Sequence, residues 1–311
     1  MQTPRFSKEG IILILAASLM LAGCTPKKYS GGTGRIYDPY KIATAEGLLS
    51  MAAETNDYGA HFVLTADIDL DLHQSGGKVF THAVISRDIN NSGSDFDGVA
   101  FTGVFNGAGH KIVNLNINTY GKGNDYLGLF GCIEGGKVKN LGLVNLIIKG
   151  GNGSYYTGGL AGCGNRASIN NCSSRGAIIC GQNCDSVGGL MGDNCFGGII
   201  NCLSICDVTC GAYSSNLGGI AGRNIGTINK CRSASVITGG TTSMWLGGLV
   251  GSNNGDIRNC SSTGTVTGGS YSYNLGELVG DNPNGTIVNC RSTTTVSAMV
   301  TDTGRFLACA K

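Results

Sequence analysis

Apolar and polar positions alternate along this chain in short runs that return at a fixed step. Phe101, Val104, Phe105, Ile112, Leu115 and Ile117 open the pattern, broken by the turn Asn106-Gly107-Ala108-Gly109. Farther on, three columns repeat in register. Cysteines stand at 172, 202, 231, 260 and 290, with Leu141 in that place one coil earlier. Two residues on stand Ser174, Ser204, Ser233, Ser262 and Ser292, and four beyond these stand Ile178, Val208, Ile237, Val266 and Val296. Offsets of 0, 2 and 6 share one face of a strand, so these columns predict the inward side of stacked strands. An aliphatic column precedes them: Ile169, Ile199 or Ile200, Ile228, Ile257 and Ile287.

A glycine block punctuates every coil: Gly158-Gly159-Leu160-Ala161-Gly162, then 188–192, 218–222, 247–251 and 276–280, with Leu127-Gly128-Leu129-Phe130-Gly131 as forerunner. The closing glycines at 131, 162, 192, 222, 251 and 280 lie 31, 30, 30, 29 and 29 residues apart. A period this regular marks a stacked-repeat architecture. The expected fold is all-β: a right-handed single-stranded parallel β-helix with coils of about 29–31 residues, two or three strands each, turning at the glycines. Neighbouring coils would lie about 4.8 Å apart, giving a rod roughly 40 Å long. The asparagines after each block, Asn165, Asn194, Asn224, Asn253 and Asn282, are expected to take left-handed corners. Upstream, Thr44 is positioned to cap a helix from Ala45 to about Glu54, whose Leu48, Leu49, Met51 and Ala52 form an apolar face that would close the end of the stack. Residues 73–100 read as a polar surface excursion. An echo of a calcium loop there, at Asp88, Asn90, Ser92, Gly93 and Asp95, fails because Val99 stands where the bidentate carboxylate is needed.

The N-terminus adds an address. Arg5 and Lys8 precede an apolar run from Ile11 to Leu21, too short to span a bilayer as a mature helix. Leu21-Ala22-Gly23-Cys24 resembles the bacterial lipobox, which implies diacylation of Cys24, palmitate included, and a membrane-anchored lipoprotein of the cell envelope, in the outer membrane or at the cell surface. The alternative is an ordinary secretory signal or an uncleaved anchor. Thr25 is not the Asp of an inner-membrane retention signal. The organisation expected is a lipoprotein signal peptide over 1–24, a flexible tether over 25–37, a cap and first coils over 38–117, and the repeat β-helix over 118–311.

Glycine is used 53 times and proline 4 times in 311 residues, and hydrophobic residues make up 41%, which fits many tight turns between buried strands rather than disorder. A net charge of +2 leaves no basic footprint for nucleic acid. The G-[GE]-[LI]-x-G blocks, the Asn-Cys pairs and Ser-Thr-Gly-Thr-Val-Thr-Gly-Gly, clearest over 247–269, are similar to the GLUG repeats of bacterial surface proteins. Such repeats also occur beside the catalytic unit of some IgA-specific metallopeptidases. The resemblance covers about residues 38–297 and implies an extracellular β-solenoid with no single activity.

Chemistry is sparse. The chain has 14 cysteines but no C-x-x-C pair, and His61, His73, His82 and His110 all precede the cysteines from 132 onward, so no metal or cofactor is expected. The cysteine columns, and Cys202, Cys206 and Cys210 at offsets of four, read as small core residues. Cys163, Cys184 and Cys195 lie off-column and are the better candidates for a disulfide. Asp193 and Asp281 share a position with Arg223 and Ser252 between them, while Asp207, Asp256 and Glu277 belong to other columns. No acid ladder of the kind a polysaccharide lyase or glycoside hydrolase needs emerges, nor H-E-x-x-H or G-x-S-x-G, so the chain is expected not to be an enzyme. One constellation remains. The loop before the glycine block carries Tyr126, then Tyr155 and Tyr156, Tyr213, Trp245, and Tyr271 and Tyr273. Tyr156, Tyr213, Trp245, Tyr271 and Tyr273 are the candidate ligand-binding residues, suited to stacking on sugar rings or contacting a cell-surface protein. The function expected is binding, adhesion or structural support, with a β-helix polysaccharide enzyme as the alternative.

Overall fold

Residues of a strand that meets its own equivalent one coil later must bury the same face every time. The computed structural model, which describes residues 28–90 and 95–298 and the backbone of 306–307, shows this for four strands per coil. In the coil from 155 these are Tyr155–Gly158, Ala161–Asn165, Ser168–Asn170 and Ser173–Cys180. Each pairs in parallel with its counterpart in the next coil. The strands build four parallel sheets, here I to IV in that order, of six, six, nine and ten strands. The expectation of two or three strands per coil is corrected to four. From Lys137–Lys139 onward the sheet III strands are three residues long and contribute one inward side chain each, too few to show an alternation of their own. No helix among the described residues is long and apolar enough to cross a membrane.

The interior is a set of ladders. In sheet III, Tyr40, Phe62, Phe105, Val138, Ile169, Ile199, Ile228, Ile257 and Ile287 oppose one another in unbroken register. In sheet IV the alternation expected from the cysteine, serine and aliphatic columns is observed: Cys202, Ser204, Cys206, Val208 and Cys210 are buried while Leu203, Asp207 and Thr209 are exposed. Ser174, Ser204, Ser262 and Ser292 have hydrogen-bond partners, while the buried Ser233 Oγ has none among the described residues. Ser174 Oγ donates to the carbonyl of Gly189 at 2.8 Å, and Ser262 Oγ to that of Glu277 at 2.8 Å, tying sheet IV to the glycine corner across the core. The column cysteines also use their sulfur: the amides of Cys172, Cys231 and Cys260 donate to the Sγ of Cys202, Cys260 and Cys290 at 3.4, 3.4 and 3.3 Å.

The glycine block does turn the coil, from sheet I to sheet II, but not through left-handed backbone. None of its glycines has a positive φ. They are needed for close approach: a Cβ on Gly158 would lie 2.5 Å from the Cα of Met191, and one on Gly189 would lie 2.3 Å from both the Gly219 carbonyl oxygen and Ser204 Oγ. The asparagines after the block are corrected too. Asn194, Asn224 and Asn253 are fully buried and inward, each passing an amide hydrogen to the next, ending on Asn282, at 2.7 Å per step. Asn165 is one residue out of this register, opposite Cys195, and donates to Glu134 at 3.0 Å on the outside. The left-handed corners instead fall to the residue just before the cysteine column: Asn140, Asn171, Asn201, Lys230, Asn259 and Asn289, with φ between 53° and 55°.

At the N-terminal end the helix spans Ala45–Ala53, with Thr44 Oγ1 accepting from the amide of Gly47 at 3.2 Å. Leu48 and Met51 are fully buried in the common core, with Leu49 and Ala52 packed against it. Of the stretch expected to be a tether, residues from 28 on lie on this end. Tyr29 stacks 4.4 Å from Tyr40 and donates to Asp57 at 2.7 Å, and Lys28 pairs with Glu54 and Asp57 at 2.9 and 2.7 Å. The excursion expected at 73–100 is also partly interior. Phe80, Val84 and Ile85 are buried, with parallel bridges Phe80–Ile117 and Ile85–Phe130. Their irregular spacing hid a partial coil.

The corner geometry makes a contrast measurable. Gly189→Ala is expected to cost about 1–3 kcal/mol, because the new methyl must push the Gly219 backbone carbonyl as well as the Ser204 hydroxyl. Gly198→Ala, whose Cβ would meet only Ile200 at 3.9 Å, is expected to stay within about 0.5 kcal/mol of the parent. Denaturant midpoints of the two variants check this; equal losses would contradict the close-approach role.

Candidate functional site

Each coil passes from sheet IV to sheet I through a loop whose tip is left-handed. Gly153, Asn183, Tyr213, Thr242 and Tyr271 occupy this tip with φ from 55° to 68°. Backbone bonds hold the tips in register: the Asn183 amide donates to Ala212, Tyr213 to Thr241 and Thr242 to Ser270, at 2.9, 2.9 and 2.8 Å. Tyr213 and Tyr271 are therefore equivalent residues two coils apart, about 10 Å along the rod. They are 57% and 62% exposed, with Thr242 between them.

Two further columns carry the other rings. On the outer face of sheet I, Tyr155, Asp185, Ser215, Met244 and Tyr273 oppose one another in sequence. Tyr155 and Tyr273 are 38% and 39% exposed. Beside them, Tyr126, Tyr156, Ser186, Asn216, Trp245 and Asn274 form a second left-handed column, with φ from 54° to 59°. Tyr156 and Trp245 share it, half-buried. Tyr126 is buried, covered by Phe96 and Tyr156 at ring distances of 5.1 and 5.0 Å. The rings singled out by sequence thus lie along sheet I and its flanking corners, in three registers rather than one strip. Asp185 sits between the aromatic ends of this face. Its carboxylate accepts from Ser186 at 2.6 Å, from Asn216 at 3.1 Å and from Ser215. Such a face offers flat rings separated by fixed polar groups, the combination that sugar rings or a protein surface can contact. Cys24, the expected lipidation site, lies outside the described residues.

Sheet II carries a constellation of which the column reading assembled only Asp193, Arg223, Ser252 and Asp281. Cys132, Cys163, Asp193, Arg223, Ser252 and Asp281 are register neighbours on successive coils. Arg223 Nε donates to Asp193 Oδ1 at 3.1 Å and Nη2 to Oδ2, and the Asp193 carboxyl is almost wholly buried. Cys195, two residues on, places its thiol 3.1 Å from Asp193 Oδ2. The same thirty-residue step that groups Asp193 with Arg223 would have added Cys163 to them. The residue type changes at every coil, so no column announces itself. Of the disulfide candidates, Cys163 and Cys195 are brought together and Cys184 lies elsewhere, buried against the Gly151 carbonyl. The twelve cysteines described are free thiols.

Next to the first rings, Asp125 is 6% exposed, and burial pushes its carboxyl up to about 6, against a hydrogen bond from the Tyr155 amide at 2.7 Å that lowers it and the Asp88 charge that raises it further.

Residues 245–267, the coil that begins at Trp245, match the family model of the GLUG motif, so the chain carries the motif its repeats resemble. Over 152 residues the chain is 30% identical to halomucin of Haloquadratum walsbyi; this alignment takes in 47% of the chain and 2% of halomucin. The chain thus matches only a small part of that relative's length. Among solved structures, a Bacteroides ovatus protein described as a candidate immunoglobulin A1 protease superposes with a TM-score of 0.67 at 21% identity, over 89% of this chain and 84% of that one. That likeness is one of fold.

The Asp125 carboxyl gives a pH signature. Its folded value lies above the unfolded 3.8, so the native state holds the extra proton between pH 3.8 and about 6. Its contribution is best near pH 4 and falls as pH rises through 6, by up to about 3 kcal/mol. Asp125→Asn is expected to gain stability relative to the parent at pH 7 and to lose that advantage at pH 4. Denaturant midpoints at the two pH values test it; a parent–variant difference independent of pH would contradict it.

Proposed function

We propose that this GLUG-bearing β-solenoid is a non-enzymatic, lipid-anchored protein of the bacterial cell envelope that binds a glycan or a cell-surface protein through the rings of sheet I. The observation that carries the reading is the pair Tyr213 and Tyr271, both more than half exposed and held two coils apart by paired backbone. A lattice that fixes ring spacing removes the ordering cost a flexible loop would bring to binding. Tyr155 and Tyr273 extend the same face, and Asp185 supplies polar contacts within it. The likeness to halomucin supports a place at the cell surface. The lipobox-like Leu21-Ala22-Gly23-Cys24 supports anchoring at Cys24.

A hydrolytic or lytic reading would need carboxylates stacked on adjacent coils. In the repeats Asp185, Asp193, Asp207 and Asp256 occupy four separate registers, and Asp193 is already engaged by Arg223. The protease description belongs to the Bacteroides ovatus neighbour, and at 21% identity it supplies a fold and no residues.

The binding reading is tested on a glycan array with the chain from residue 25 onward. Tyr213→Ala with Tyr271→Ala is expected to reduce binding to any retained glycan at least tenfold, with an unchanged unfolding midpoint. A blank array sends the reading to a protein partner or a structural role, and glycan binding that survives the double change removes Tyr213 and Tyr271 as its site. The anchor has its own test. Cys24→Ser is expected to move the full chain from the membrane fraction to the soluble fraction on export; retention in the membrane would remove the lipid.

A further inference from the structure

The outer face of sheet II gathers soft ligands where neither the core nor the aromatic face needs them. Cys163, Asp193 and Cys195 each place one ligand atom within 4.8 Å of the other two, and they are the group of this kind among the described residues. Cys163 and Cys195 are partly exposed, so an ion has a path in, while Asp193 is buried behind them. We infer that Cys163, Asp193 and Cys195 form a binding site for a divalent cation of the zinc class.

Geometry, charge and outer support converge on that class. Two thiolates on one tetrahedral zinc-sized ion lie about 3.8 Å apart, given metal–sulfur bonds of about 2.3 Å. The ligand atoms of the trio already lie within 4.8 Å of one another, close to that separation. Asp193 Oδ2 already stands 3.1 Å from the Cys195 thiol, and its plane is fixed by Arg223, whose Nε lies 3.1 Å from Oδ1. A carboxylate has about four lone-pair directions, so two donors from Arg223 leave room for a metal bond. Arg223 thus acts as the outer partner that orients a ligand. On binding, the two thiols release their protons to solvent. Two thiolates and one carboxylate then balance Arg223 and a divalent cation, leaving the half-buried site with no net charge. A monovalent ion would leave one uncompensated negative charge. A hard ion such as calcium or magnesium prefers oxygen donors over sulfur. The fourth place of the tetrahedron falls to water, which keeps that balance.

The experiment uses the full chain, purified under reducing conditions, with Zn²⁺ and Cd²⁺ as probes. Competition against a colorimetric chelator is expected to show one tight equivalent of Zn²⁺, and Cd²⁺ is expected to give a thiolate-to-metal charge-transfer band. Cys163→Ser with Cys195→Ser should weaken Zn²⁺ binding by about 100-fold or more and abolish the band. Cys290→Ser, at the half-exposed end of the core column, should leave both unchanged, and unfolding midpoints of all three chains confirm that they fold. Undiminished Zn²⁺ affinity in the double variant would overturn the inference. So would the absence of a saturable equivalent in the parent, or a Cys163–Cys195 disulfide that persists in the reduced chain.

Discussion

Every coil must bring its backbone back to the same place one strand spacing higher. That requirement governs the molecule. Parallel strands allow it only if each inward residue can lie on its counterpart, so the interior becomes a set of ladders rather than a jigsaw. Apolar ladders solve this easily, as in sheet III from Tyr40 to Ile287. Polar ladders solve it only when each group passes a hydrogen bond along. Asn194, Asn224 and Asn253 do so completely: one amide hydrogen goes to the next coil and the other to the turn carbonyl of Gly197, Gly226 or Gly255. Where the ladder starts, the register residue below is Gly164, and the Oδ1 of Asn194 is left without a donor. A buried polar stack is thus tolerated in proportion to its continuity, which ties the value of each coil to that of its neighbours.

The outside inherits this order at no added cost. Because corners repeat, whatever side chain occupies a corner is presented at multiples of one coil step. Left-handed corners take Tyr156, Ser186, Asn216 and Trp245 in one column and Asn183, Tyr213, Thr242 and Tyr271 in another. None of these residues belongs to the apolar core, though Ser186 and Asn216 are buried, so residue type varies from coil to coil and rings are placed only at some of them. The same freedom on sheet II yields Cys163, Asp193 and Arg223 on successive coils. A rigid interior of near-identical residues carrying an exterior of dissimilar ones is the arrangement expected of a recognition surface.

Legibility follows the same division. The period, the inward cysteine, serine and aliphatic columns and the Thr44-capped helix were readable because stacking or local chemistry forces the same residue type to recur. The glycine block was located as the turn of each coil, but its reason was not legible, since glycine serves equally for left-handed backbone and for close approach; the absence of positive φ and the 2.3 Å distances at Gly189 separate the two. The asparagine column failed for a related reason. Asn suits a left-handed corner and also an amide ladder, and a one-residue offset put Asn165 outside and Asn194 inside. Phe80 and Ile85 join the core through isolated bridges without any period, so pattern could not reveal them. The aromatic face was found in outline, but its three registers depend on where each loop tip turns left-handed. The cysteine–aspartate cluster joins Cys195 to a column it does not belong to, which requires the folded sheet.

The claim beneath all of this is that the coil is the unit of stability and that register is its only indivisible property. Denaturant unfolding of two shortened chains tests it most directly. Removing 189–218 joins Gly188 to Gly219 and excises one whole thirty-residue step; removing 189–203 excises half of one. The first chain is predicted to unfold in a single cooperative transition at a moderately lower midpoint, with its β-sheet circular dichroism kept, and the second to lose the transition. Loss of cooperative folding in both chains alike would contradict the account.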